Sequence, residues 1–128
     1  EIDIALKKAY ENGVIMGGGS AGSLCWFNGG TTDSRPKELS IVEGMKFIDK
    51  SHCPHYNSET FRRPLYHTNI LSGKLTDGYA CDDRSAIHFI DEEVFTSISL
   101  DDKNHSYYVH INRDGKIIEQ LLPSTITT

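Results

Sequence analysis

Gly18-Gly19-Ser20-Ala21-Gly22 sets a hydroxyl among glycines, directly after the apolar run Val14-Ile15-Met16 and before Ser23-Leu24-Cys25-Trp26-Phe27. Gly-x-Ser-x-Gly between a strand and a helix is the pattern of a nucleophile elbow. A serine held on so tight a turn needs neighbours without side chains. A helix beginning just after it aims free N–H groups at a developing oxyanion. The same glycines would also suit a phosphate-binding turn or close strand–helix packing. A Walker loop is excluded, because no Gly-Lys-Ser/Thr follows.

A serine hydroxyl needs a base, and the base needs an orienting group. Six histidines are available. His105 follows the polar loop Asp101-Asp102-Lys103-Asn104, His88 and His110 fall in strand-like runs, and His67 lies late in a helical window. His55 is preferred as base, since Pro54 stiffens its approach and it sits at a strand end, as Ser20 does; His52 is its competitor. For the acid, Asp33 lies in the loop Thr31-Thr32-Asp33-Ser34, where an Asx-turn would be its ordinary role. Asp82-Asp83 offers a second choice. No ligand cluster with metal-like spacing accompanies that pair, so neither a metal nor a cofactor is expected.

The elements that must position these groups read as α/β. Residues 2–11 carry an amphipathic helix ended by Asn12-Gly13, and Val14-Ile15-Met16 reads as a buried strand. Asn28 to Pro36 reads as a loop, Ile41-Val42 and Met45-Lys46-Phe47-Ile48 as short strands, and Cys53-Pro54-His55-Tyr56 as a strand end entering a loop. Ser58 to Leu71 is predicted helical, with Ser58 as N-cap and Pro64 as a kink or break. Strands are predicted at Leu75–Ala80, Ala86–Ile90, Val94–Leu100, Tyr107–Ile111 and Lys116–Leu122. Asn112-Arg113-Asp114-Gly115 forms a hairpin turn between the last two, and the tail Ser124 to Thr128 is expected to fray.

The chain of 128 residues suits one domain. Its 38% hydrophobic and 24% charged residues exclude disorder, and a net charge of −5 argues against nucleic-acid and membrane-surface partners. No apolar run approaches the roughly 20 residues of a membrane span, and Glu1-Ile2-Asp3 lacks the features of a signal peptide. Cys25, Cys53 and Cys81 have neither framework nor CxxC spacing, which points to reduced thiols and a cytoplasmic location.

Taken in order, Gly18 to Gly22, Thr31-Thr32-Asp33 and Cys53-Pro54-His55-Tyr56 resemble the peptidase E family, serine dipeptidases related to cyanophycinase. The stretch Gly78-Tyr79-Ala80-Cys81-Asp82-Asp83-Arg84-Ser85-Ala86-Ile87-His88-Phe89 resembles that family too, and the likeness runs from about Leu6 to Leu121. It implies an α/β/α sandwich with a mostly parallel central sheet, like class I glutamine amidotransferase domains, here with a C-terminal β-hairpin region. It implies hydrolysis of short peptides next to an aspartyl residue through an acyl-enzyme. Ser20 would be nucleophile, His55 general base, Asp33 orienting acid with Asp82 or Asp83 as fallback, and the Ala21 N–H an oxyanion donor. Arg62 and Arg63, shortly after His55, fit binding of the substrate carboxylate, since guanidinium pairs bidentately with it, and equally fit a solvated helix face. The family's earlier strands and second oxyanion loop have no counterpart here. Residues 1–128 are therefore expected to be the C-terminal part of a catalytic domain, completed by an N-terminal segment, a partner chain or a second copy. The rival readings are a non-catalytic relative that binds a small ligand or partner, and an α/β-hydrolase esterase. The esterase is disfavoured by a histidine only 35 residues beyond Ser20.

Overall fold

Connection lengths decide how the strands run. The computed structural model describes residues 1–32 and 40–126. Residues 33–39 are too few for a crossover, so β1 (Phe27–Thr32) and β2 (Ser40–Glu43) pair antiparallel. Between β3 (Ile48–Cys53) and β4 (Gly78–Cys81) the chain has room for helix α3 (Arg62–Leu71), and these strands run parallel. β1 and β3 are parallel as well. After β4 come β5 (Ser85–Ile90), β6 (Glu93–Ser99), β7 (Ser106–Ile111), β8 (Ile117–Leu121) and β9 (Ser124–Ile126). β4–β7 and β7–β8 are antiparallel.

The six-stranded sheet, in the order β2-β1-β3-β4-β7-β8, is therefore mixed, with three antiparallel pairings and two parallel ones. The expected α/β class holds. The expected mostly parallel sheet does not, because β1–β2 and β7–β8 are joined by connections too short for a crossover and β7 returns antiparallel beside β4 after the β5–β6 excursion.

Side chains alternate across this sheet and divide its two faces. On one face α3 seats Tyr66 and Ile70 against Cys53, Tyr56, Leu75, Ala80 and Val109, all buried. Each such aliphatic or aromatic side chain contributes about 1.5–3 kcal/mol by leaving water. Ser51 points the same way and shares a 2.6 Å hydrogen bond with the Tyr66 hydroxyl. On the opposite face Phe89 of β5 meets Phe27 and Tyr79 edge-on, at ring distances of 5.8 and 5.1 Å. The cover there is the three-stranded sheet β5-β6-β9.

Helix α1 (Ile2–Glu11) forms as its periodicity predicts, and its Tyr10 ring stacks on Phe47 at 5.0 Å. Val14-Ile15-Met16 does not form a strand: Ile15 is 95% exposed, and the run has no ladder partner among the described residues. A strand without a ladder leaves its backbone groups unpaired. Asn28 to Thr32 was expected as loop and is instead β1, flanked by β2 and β3. Met45 to Phe47 lies outside the strands, β3 beginning at Ile48. α3 starts at Arg62, not near Ser58, so Pro64 falls in its first turn, where a missing N–H costs nothing. The Asn112 turn behaves as expected: its Oδ1 accepts from the N–H groups of Asp114 and Lys116. The tail does not simply fray, because β9 pairs parallel with β6 and the Ser97 hydroxyl donates to the Pro123 carbonyl at 2.7 Å.

Candidate active site

Ser20 sits immediately before the four-residue helix α2 (Ala21–Leu24) with φ 54° and ψ −125°. That conformation costs a non-glycine residue about 1–3 kcal/mol and persists only where the surroundings impose it. Gly18 explains how the turn closes: a Cβ there would lie 2.2 Å from the Gly22 carbonyl oxygen. The carbonyls of Gly19 and Ser20 accept from the N–H groups of Gly22 and Ser23 at 2.9 and 3.0 Å. The glycines thus close a tight turn at Ser20, although the run before it is not a strand.

His55 lies just beyond β3 on the segment stiffened by Pro54, and it too has a positive φ, of 55°. Its Nε2 is 2.7 Å from the Ser20 hydroxyl and its Nδ1 is 2.6 Å from Asp83 Oδ1. A carboxylate only accepts, so Nδ1 carries the proton and Nε2 is left to accept from Ser20. Asp83 is held in turn by its N–H, which donates to Asn57 Oδ1 at 3.0 Å. Arg84, the next residue, has φ 64°. Three segments far apart in sequence thus carry strained backbone where they meet, as functional sites often do.

The competitor histidine has a different partner. His52, buried on β3, stacks on Phe27 at 4.4 Å, donates from Nδ1 to the Tyr79 carbonyl at 2.9 Å, and faces the Ser23 hydroxyl with Nε2 at 2.8 Å. Burial pushes its pKa down to about 4, so the ring is neutral at pH 7. Of the acids, Asp33 lies outside the described residues. Asp82 is buried and turned to the β7 side, where its Oδ2 accepts from the His105 N–H at 2.9 Å, and burial raises its pKa. Asp83, the fallback acid, is the carboxylate that reaches His55.

Ser20, His55 and Asp83 open onto a cleft of about 920 Å³, whose lining includes Tyr10, Met16, Ile87 and Phe89. Residues 1–97 match the family described as Peptidase family S51. The chain belongs to that family. The "Uncharacterized peptidase YgaJ" of Bacillus subtilis (strain 168) is 42% identical over 122 residues, which cover 95% of this chain and 52% of the relative. The chain therefore spans about half the length of the curated relative it matches. No solved structure matches it. The resemblance to peptidase E drawn from the serine, Thr-Thr-Asp and Pro-His-Tyr segments agrees with this membership.

Two arginines expected at the substrate have other neighbours in this S51 chain. Arg62 is buried, donating from Nε and Nη2 to Glu59 at 3.0 and 2.7 Å and from Nη1 to the Thr31 carbonyl at 3.2 Å. Arg63 forms a bidentate pair with Glu119 of β8 and lies 4.8 Å over the Tyr56 ring. Neither lines the cleft, and among the described residues that do, Arg84 is the one lysine or arginine.

Glu119 was not singled out from the sequence, yet it gathers three side chains. It accepts from Arg63 and from the Tyr56 hydroxyl, and it lies 2.9 Å from His67 Nε2. Burial would raise its carboxyl pKa, but the Arg63 and Tyr56 hydrogen bonds prevail and hold it down at about 2. Tyr56 directly follows His55, so this cluster anchors the loop that carries the imidazole. Glu119 lies beyond the matched residues and 56 positions from Arg63, with no local pattern to mark it.

Proposed function

We propose that the whole protein is a serine peptidase that cleaves short peptides beside an aspartyl residue, with Ser20 as nucleophile, His55 as general base and Asp83 as orienting acid. The observation that carries this reading is the continuous line Ser20 Oγ–His55 Nε2–His55 Nδ1–Asp83 Oδ1, at 2.7 and 2.6 Å, on a strained turn in a peptidase family. As Oγ attacks the scissile carbonyl, its proton passes to Nε2 and an O–C bond forms. The developing oxyanion is met by the N–H of Ala21, the first residue of α2, which has no carbonyl four residues back in the helix to bond. Collapse breaks the C–N bond, and the proton on Nε2 goes to the leaving amine. Water, deprotonated by His55, then hydrolyses the ester and frees Ser20.

Asp83 carries the negative charge opposite the imidazolium in both steps. Arg84, the cation of the cleft, supports recognition of an acidic side chain beside the scissile bond. For the whole protein we propose the three-layer α/β/α arrangement that the resemblance implies, in which Val14-Ile15-Met16 gains strand partners. In the full-length protein, Ser20→Ala is expected to abolish hydrolysis of aspartyl dipeptides while the far-ultraviolet circular dichroism spectrum is kept. Turnover equal to wild type in that variant would reject the assignment.

A further inference from the structure

Three residues beyond Ser20, Ser23 forms a second serine–histidine pair that the peptide chemistry above does not use. Its hydroxyl lies 2.6 Å from the Ser20 carbonyl oxygen and 2.8 Å from His52 Nε2. The imidazole beyond it cannot swing away. Nδ1 is committed to the Tyr79 carbonyl of β4 at 2.9 Å, one ring face is stacked on Phe27 of β1, and the residue is 4% exposed. The Tyr79 carbonyl can only accept, so the neutral ring has its proton on Nδ1 and a bare Nε2. The single Ser23 proton is therefore shared between two acceptors, the Nε2 of an imidazole fixed by its other contacts and the Ser20 carbonyl. The same carbonyl accepts the Ser23 N–H at 3.0 Å, so the hydroxyl is a second anchor on a residue that holds a positive φ.

We infer that Ser23 and His52 are positioning residues: a strut from strands β1, β3 and β4 that fixes the Ser20 peptide so that its hydroxyl stays aimed at His55. The inference rests on Ser20 being the nucleophile. The strut touches the carbonyl of Ser20 and not its hydroxyl, so it acts on the aim of the nucleophile and leaves the proton transfer to His55 and Asp83. A misaimed nucleophile reacts slowly even when binding is intact.

The test is the rate at which a fluorophosphonate labels Ser20 in the full-length protein, followed across pH with the labelled residue identified by mass spectrometry. Ser23→Ala is expected to slow labelling about 10- to 100-fold, the range set by small misplacements of reacting groups. The pH at half-maximal labelling should stay where it is in the wild type, because His55 and Asp83 are untouched. Ser23→Thr keeps the hydroxyl and should restore most of the rate. Labelling of Ser23→Ala at the wild-type rate would overturn the strut, and so would a Ser23→Thr rate as low as that of the alanine variant. A wild-type protein that takes no label at Ser20 would overturn the nucleophile reading itself, and the strut with it.

Discussion

His55 Nδ1 lies 2.6 Å from Asp83 Oδ1, although the two are 28 positions apart in the chain, with helix α3 and strand β4 between them. The parallel pairing of β3 and β4 brings their C-terminal ends side by side, and each end carries one of the two groups. This contact selects the imidazole tautomer. Asp83→Asn is expected to lower kcat about 10³- to 10⁴-fold with KM little changed, as happens when the orienting acid of a serine triad becomes an amide. Steady-state kinetics on an aspartyl dipeptide checks it, and a kcat near wild type would assign the orienting role elsewhere.

Arg84 is 69% exposed at its side chain and reaches only a loose 3.8 Å contact with Asp101, so its charge is available to the cleft. Arg84→Ala should raise KM for aspartyl dipeptides about tenfold, the worth of one charge-assisted hydrogen bond, and leave neutral dipeptides unaffected. An equal effect on both substrates would remove Arg84 from specificity.

The Glu119 cluster predicts a stability effect at a distance from the nucleophile. Glu119→Gln leaves Arg63 without its carboxylate and should cost about 2 kcal/mol in urea denaturation at pH 7, the order of a hydrogen bond to a charged group. The carboxyl is held down at about 2, below the ordinary value of 4.5. Its contribution is therefore complete above pH 4.5 and lost as the pH falls toward 2. In the variant that acid-range loss should be smaller.

His52 acts in a higher window. Its pKa is held at about 4 in the folded chain against the ordinary 6.5, so between these values the unfolded chain binds one more proton. Stability should therefore fall as the pH drops from 6.5 to 4, with a slope of up to about 1.4 kcal/mol per pH unit from this residue. His52→Gln should remove that part of the slope. Denaturant midpoints measured at several pH values separate the two cases.

Legibility in the sequence followed locality. Ser20 and His55 could be found because glycines and Pro54 mark their turns, and the Asn112 hairpin because its turn chemistry lies within four residues. Asp83 ranked behind Asp33 because nothing near it in the chain announces His55; the contact is made by strand pairing. β1 was hidden by its composition. Asn28-Gly29-Gly30 looks like a loop, but a Cβ at Gly30 would lie 2.3 Å from the His52 carbonyl oxygen, so glycine serves close strand packing there. Val14-Ile15-Met16 is the opposite case, having strand composition without strand partners among the described residues. The pairing of Arg63 with Glu119 was not legible, because Glu119 sits on a strand formed much later in the chain.

The most direct test of the account is to expose the full-length protein to a fluorophosphonate and locate the adduct by peptide mass spectrometry. Attack by Ser20 forms an O–P bond and expels fluoride, while His55 takes the hydroxyl proton. A single adduct on Ser20 is expected, lost in Ser20→Ala and strongly slowed in His55→Ala. A folded protein that takes no label, or takes it elsewhere with Ser20 unmodified, would contradict it.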